Sequence, residues 1–211
     1  MRVIAALFAA LIVFINVPAG AAGPVRILVL GDSLAAGYGL RASAAFPARL
    51  EARLRADGFD VVAINAGVSG DTSAGGRSRL DWSLADRPDI VIVELGANDA
   101  LRGLDPAMTR RNLDAILTRL TAAGVGVLLT GMYAPPNYGR EYEKKFKAVY
   151  PALAEKHGVL FYPFFLDGVA TVAALNQPDG VHPNERGVRV IVDLIAPYVV
   201  RWLKAHEMTG Q

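Results

Sequence analysis

The chain has 211 residues, 53% hydrophobic and 20% charged, with 21 Gly, 12 Pro and no Cys. That length suits one domain whose core needs no covalent staple. The absence of Cys excludes disulfides, thiol nucleophiles, cysteine zinc sites and a lipidated N-terminal cysteine. A formal charge of +2 is too small for a nucleic-acid binder, and Arg77, Arg79, Arg110 and Arg111 are interspersed with apolar and acidic residues, as on a solvated helix face.

The chain opens with a basic Met1-Arg2, an uncharged and mostly apolar run from Val3 to Val17, and the small residues Pro18-Ala19-Gly20-Ala21-Ala22-Gly23. Ala19 and Ala21 form an A-x-A site, so residues 1–21 read as a secretory signal peptide and residues 22–211 as the mature catalytic domain. The apolar run is shorter than the roughly 20 residues of a membrane span. Export to a periplasm or the medium is expected, with no stable membrane insertion after cleavage.

Beyond this segment, apolar strand-like runs alternate with helical patterns. Val25–Leu30, Val61–Ile64, Ile90–Leu95, Val125–Thr130 and Val159–Phe161 are the expected strands. Ala44–Ala56, Pro106–Ala122, Tyr142–His157 and Val188–Ala205 carry apolar residues at three-to-four spacing and are the expected helices. Asp105 and Pro106 suit the cap and first turn of their helix, and Gly124 and Gly158 suit helix ends. The alternation predicts an α/β single domain with a five-stranded parallel sheet between helices, a flavodoxin-like three-layer fold.

Carboxyl ends of parallel strands share one edge, where such folds place their chemistry. Three strand-end loops are unusual: Gly31-Asp32-Ser33, Asn65 to Thr72, and Glu94-Leu95-Gly96-Ala97-Asn98-Asp99. A fourth loop, Asp179-Gly180-Val181-His182-Pro183-Asn184, precedes the last helix. Gly-Asp-Ser at the end of a buried strand reads either as a rigidly held nucleophile or as a turn and helix N-cap. Among the three histidines, His157 sits at a helix end and His206 in a tail expected to face solvent, which leaves His182 as a base for Ser33. Histidines so dispersed make a histidine metal site unexpected. Gly37-x-Gly39 and Gly75-Gly76 form no P-loop, and no Gly-x-Gly-x-x-Gly follows a strand, so no nucleotide cofactor is expected.

Gly31-Asp32-Ser33-Leu34, Gly70 after strand two, Gly96-Ala97-Asn98-Asp99 and Asp179-x-x-His182-Pro183 together resemble the SGNH (GDSL) hydrolases. Gly31 to Gly39, Ser69-Gly70-Asp71-Thr72-Ser73, Glu94 to Asp99 and Ala134-Pro135-Pro136-Asn137-Tyr138-Gly139 resemble their exported arylesterase and thioesterase/lysophospholipase branch. The resemblance implies Ser33 as nucleophile, His182 as general base and acid, and Asp179 as the group that orients the imidazole. It implies an oxyanion hole of the Ser33 and Gly70 backbone N–H groups with the Asn98 amide. It also implies no cofactor, a monomer, and a small-molecule or lipid acyl ester as partner.

The Gly131 to Gly139 loop, with Met132, Tyr133, Ala134, Pro135 and Tyr138, is the expected substrate-selecting segment, stiffened by two prolines. Tyr133 stands where similar enzymes often carry Arg. Asp32, Asp71 and Asp99 are expected to brace their loops, and Trp82 and Trp202 to pack. Glu94 ends an apolar run, where a charge must be paired or its pKa shifted. The expected activity is hydrolysis of acyl and aryl esters and thioesters, with lipid or xenobiotic esters as substrates outside the cytoplasm. A carbohydrate O-acetylesterase and a non-catalytic exported binding module are the alternatives.

Overall fold

The computed structural model describes residues 23–207; the expected signal peptide lies outside the described residues. In chain order the elements are β1 (Val25–Gly31), α1 (Ser33–Ala36), α2 (Phe46–Ala56), β2 (Val61–Gly67), α3 (Ser73–Ser78), α4 (Leu80–Ser83), β3 (Ile90–Glu94), α5 (Ala97–Leu101), α6 (Pro106–Ala122), β4 (Gly126–Thr130), α7 (Arg140–His157), β5 (Leu160–Tyr162) and α8 (Glu185–Glu207). The five strands form one parallel sheet in the order β2-β1-β3-β4-β5. The order reverses direction at β1, so the crevice beyond its carboxyl end is the place where a doubly wound sheet binds ligands.

Right-handed crossovers set the layers. The β1-to-β2 connection runs one way across the sheet, and the steps from β2 through β5 run the other. This puts α2 on one face and α3, α6 and α7 on the opposite one; α8 returns to pack on α2. The strands read as continuous apolar runs because both faces are covered: Ile27, Leu28, Val29, Leu30 and Ile90, Val91, Ile92, Val93 are all fully buried. Leu113, Ile116, Leu117 and Leu120 of α6 form the buried stripe expected from their spacing.

Helix ends follow local chemistry. The Asp105 carboxylate accepts the Ala107 N–H with Pro106 at the first helical position, and Gly158 ends α7 in the left-handed conformation (φ 62°). β2 runs three residues past its expected end, because Asn65-Ala66-Gly67 pair with Val29-Leu30-Gly31. Gly67 is required there: a Cβ would lie 2.3 Å from the Ala36 nitrogen. The short helices α1, α3, α4 and α5 fall outside the four expected helix spans, since none is long enough to repeat an apolar pattern. Among the described residues, no helix is long and apolar enough to cross a membrane.

Three side chains depart from their expected settings. Trp82 is 78% exposed on α4 rather than packed. His206 lies in α8, stacked on Trp202 with ring centroids 3.8 Å apart, and its Nδ1–H donates to the Trp202 carbonyl. His157 is held in α7 by Asp114, with Nε2 2.6 Å from the carboxylate, so it does more than complement a helix dipole. Trp202 packs against the core as expected.

Candidate active site

β1 delivers Ser33 to the switch-point crevice. The strand ends at Gly31, where a Cβ would lie 2.5 Å from both the Ala35 Cβ and a Glu94 carboxylate oxygen. Asp32 then caps α1, its Oδ1 accepting the Leu34 N–H at 3.0 Å. The bland N-cap reading of this sequence is therefore true of Asp32, and it leaves Ser33 at the first position of the helix.

His182 arrives from the loop before α8. That loop is pinned by the Gln177 N–H on the His182 carbonyl (2.8 Å), by an antiparallel bridge between Asn176 and Pro183, and by the Gln177 side chain, which donates to the Tyr38 and Pro183 carbonyls. His182 Nε2 lies 2.9 Å from Ser33 Oγ, and Nδ1 lies 2.8 Å from Asp179 Oδ2. A carboxylate only accepts, so Nδ1 carries the proton and Nε2 is left to accept from the serine hydroxyl. The other Asp179 oxygen accepts the N–H groups of Val181 (2.9 Å) and His182 (3.0 Å). These two backbone bonds, followed by the bond from the His182 ring, hold the Asp179 carboxyl down to about 2. The Tyr38 ring lies 4.6 Å from the imidazole, a contact that no motif announced.

Asn98, in the first turn of α5, donates one amide N–H to Asp32 Oδ2 at 3.0 Å. That bond fixes which way the amide faces and leaves its second N–H available. Asp32 and Glu94 are both fully buried. Burial pushes the Asp32 carboxyl up to about 6, against the opposing pull of the Leu34 N–H, the Asn98 amide and His182. Burial, then the neighbouring Asp32 charge, drives Glu94 well above the carboxylate range. Its Oε2 accepts the Asp32 N–H at 3.2 Å while Oε1, equally buried, has no hydrogen-bond partner. Burial with so little hydrogen bonding disfavours the charged form of Glu94 beneath the Ser33 turn.

Gly70 has a φ of 84°, a conformation that favours glycine, and its carbonyl accepts from Arg102 at 2.9 Å. The loops carrying Gly70 and Asn98 are joined below by Asp99, which accepts from the Ser73 N–H (2.7 Å), the Ser73 hydroxyl and the Thr109 hydroxyl (3.0 Å). Asp99, expected to brace its own loop, instead ties that loop to Ser73 at the start of α3 and to Thr109 of α6. Asp71 differs from its expected role as a backbone brace: it pairs with Arg79 Nε at 2.6 Å. Arg79 is not on a solvated face. Its side chain is 17% exposed and reaches under the loops to the Gly31 and Ala66 carbonyls.

The 131–139 loop splits in two. Met132 is 2% exposed and belongs to the core, which withdraws it from the expected substrate contacts. Tyr133 stacks on Phe164 at 4.1 Å with Lys147 over its ring, and Tyr138 donates to the Leu101 carbonyl while remaining 42% exposed. Ala134 and Pro135 are half-buried between them. Among the described residues, no three His, Asp or Glu side chains converge as a metal site would require.

A hydroxyl, an imidazole and a carboxylate in hydrogen-bonded series can perform nucleophilic substitution at a carbonyl, with donors nearby for the charge that develops. The comparisons agree with that chemistry. The esterase TesA of Pseudomonas aeruginosa is 46% identical over 158 residues, which is 74% of this chain and 79% of that protein. The thioesterase 1/protease 1/lysophospholipase L1 of Escherichia coli K12 is 42% identical over 177 residues, covering 83% of this chain and 84% of that one. The crystal structure of the psychrotrophic esterase EstA from Pseudoalteromonas sp., inhibited by monoethylphosphonate, is 37% identical and superposes with a TM-score of 0.80 over 85% of this chain and 98% of that one. The model of the GDSL-like Lipase/Acylhydrolase family matches residues 29–190, and the chain belongs to that family.

Proposed function

We propose that the protein is a serine ester hydrolase that cleaves acyl and aryl esters and thioesters through an acyl-enzyme on Ser33. The observation that carries this reading is the continuous series Ser33 Oγ, His182 Nε2, His182 Nδ1, Asp179 Oδ2, with contacts of 2.9 and 2.8 Å. Ser33 Oγ attacks the carbonyl carbon as its proton passes to His182 Nε2. The resulting oxyanion is held by the backbone N–H groups of Ser33 and Gly70 and by the second amide N–H of Asn98. Collapse breaks the bond to the alcohol, phenol or thiol, which leaves with the proton from His182. Water, deprotonated by the same imidazole, then releases the acid and restores Ser33. Asp179 keeps the imidazole in the required tautomer and stabilises its charged form.

The names of the two curated relatives describe this chemistry in those proteins. Substrate preference is assigned to the loops at the carboxyl edge, where Tyr38, Val68, Leu101, Tyr133, Tyr138, Val172 and Val181 are exposed. That surface suits an apolar acyl chain or an aromatic leaving group more than a sugar. Tyr133, Ala134, Pro135 and Tyr138 would contact it, with Met132 as support from below. The pattern of residues 1–21 supports export to a periplasm or the medium, and a site built within one chain supports action as a monomer.

The test is hydrolysis of p-nitrophenyl esters from acetyl to palmitoyl by the mature protein beside Ser33→Ala. Activity that vanishes in the variant and peaks above acetyl is the expected result. Equal inertness of two folded proteins on every ester would overturn the reading, and an optimum confined to acetyl would favour an O-acetylesterase.

A further inference from the structure

Arg79 touches none of the groups just assigned to the reaction, yet it is tied to both loops that carry them. We infer that Arg79 is a positioning residue, a rigid fork that sets the spacing between the Ser33 and Gly70 backbone N–H groups. The inference rests on the esterase reading above.

β1 and β2 pair in register as far as Gly31 and Gly67. There they part: β1 turns into α1 with Ser33, and β2 runs on through Val68 to the turn that holds Gly70. Beyond the bond from the Val68 N–H to the Gly31 carbonyl the ladder ends, and backbone pairing no longer sets the gap between the diverging chains. Arg79 fills that place. One terminal nitrogen donates to the Ala66 carbonyl at 2.7 Å, the other donates to the Gly31 carbonyl at 2.8 Å, and Nε donates to the Asp71 carboxylate. Gly31 lies two residues before Ser33, and Asp71 directly follows Gly70. A single planar group thus grips both chains on the way to their oxyanion donors. It does so from a largely buried position, with Arg79 17% and Asp71 18% exposed. The Val68 N–H joins the same Gly31 carbonyl at 3.0 Å.

A guanidinium holds its donors in a fixed plane, whereas an ammonium is a single point on a flexible stem. Lysine would keep the charge and lose the fork. Oxyanion donors act only within a narrow range of distance from the developing charge, so a splayed pair should slow the chemical steps and leave substrate binding nearly unchanged.

The experiment compares wild type, Ser33→Ala, Arg79→Ala, Arg79→Lys and Asp71→Asn on one short-chain p-nitrophenyl ester, with melting curves to count folded protein. Per folded molecule, Arg79→Ala and Arg79→Lys should lose about 10- to 100-fold in kcat with KM shifted less than about 3-fold. Low concentrations of free guanidinium should restore activity to Arg79→Ala and add nothing to wild type. Asp71→Asn, which frees only one corner of the fork, should show a smaller loss in kcat, and it carries the test if Arg79→Ala does not fold. Wild-type kcat per folded molecule in the Arg79→Lys and Asp71→Asn variants would overturn the inference while leaving the esterase reading intact. An inert wild type would overturn both.

Discussion

Replacing Asp32 by Asn should change stability by an amount that depends on pH. The wild-type carboxyl is fully buried, and burial raises its pKa from an ordinary 3.8 to about 6. An acid whose folded pKa lies above its unfolded one holds protons more tightly when folded. Its stabilising contribution is therefore complete below about pH 4 and is lost as the pH rises toward about 6. The difference between the two values corresponds to about 3 kcal/mol.

Asn cannot ionise, so the variant lacks this slope. It also turns an NH2 group toward one of the two donors that face Asp32, the Leu34 N–H and the Asn98 amide, where a carboxyl oxygen keeps a lone pair whether or not it is protonated, a loss of about 1–3 kcal/mol. Urea unfolding should find Asp32→Asn less stable at pH 4 by about that amount, and should find the deficit reduced or reversed at pH 7. Repeating the pair in a Glu94→Gln background removes the neighbouring carboxyl from the comparison. A stability difference that is the same at both pH values would refute the argument that burial raises this carboxyl.

Asn98→Ala removes one assigned oxyanion donor, and steady-state kinetics should show kcat reduced about 10²–10³-fold, a larger change than in KM. Asp179 has the opposite sign to Asp32: backbone N–H groups depress its pKa, so the stability it contributes is present above about pH 4 and is lost as the pH falls through about 2. Carbon-detected NMR titration should place its midpoint near 2, and a midpoint near 4 would mean that the Val181 and His182 N–H bonds are not made in solution. Gly67→Ala presses a methyl group onto the Ala36 backbone, and chemical unfolding should record a loss of about 1–3 kcal/mol.

The sheet was legible because a parallel strand covered on both faces is written as an unbroken apolar run, as in Ile27 to Leu30 and Ile90 to Val93. The end of β2 was not, because Asn65-Ala66-Gly67 has the composition of a turn and pairs only because β1 lies alongside. Ser33 could be nominated from its place at a strand end and His182 from the scarcity of histidine, whereas the role of Asp179 came with the family resemblance. Arg79 could not be nominated, since its inward reach depends on where two strands separate, and local sequence shows only an arginine in a helical pattern. Met132 and Tyr133 are adjacent and apolar, yet one enters the core and the other the surface; a nine-residue loop has no periodicity to tell them apart. Glu94 announced itself as a charge in a buried strand, but its partner Asp32 comes from 62 residues away.

The central claim is that Ser33 carries the acyl group. It is tested most directly by treating the mature protein with one equivalent of a p-nitrophenyl phosphonate, measuring release of p-nitrophenol, and mapping the adduct by peptide mass spectrometry. A single adduct on Ser33, formed in step with loss of esterase activity and absent from the Ser33→Ala and His182→Ala proteins, is the result expected. Full inactivation with the adduct on another residue, or undiminished ester hydrolysis with Ser33 modified, would contradict it.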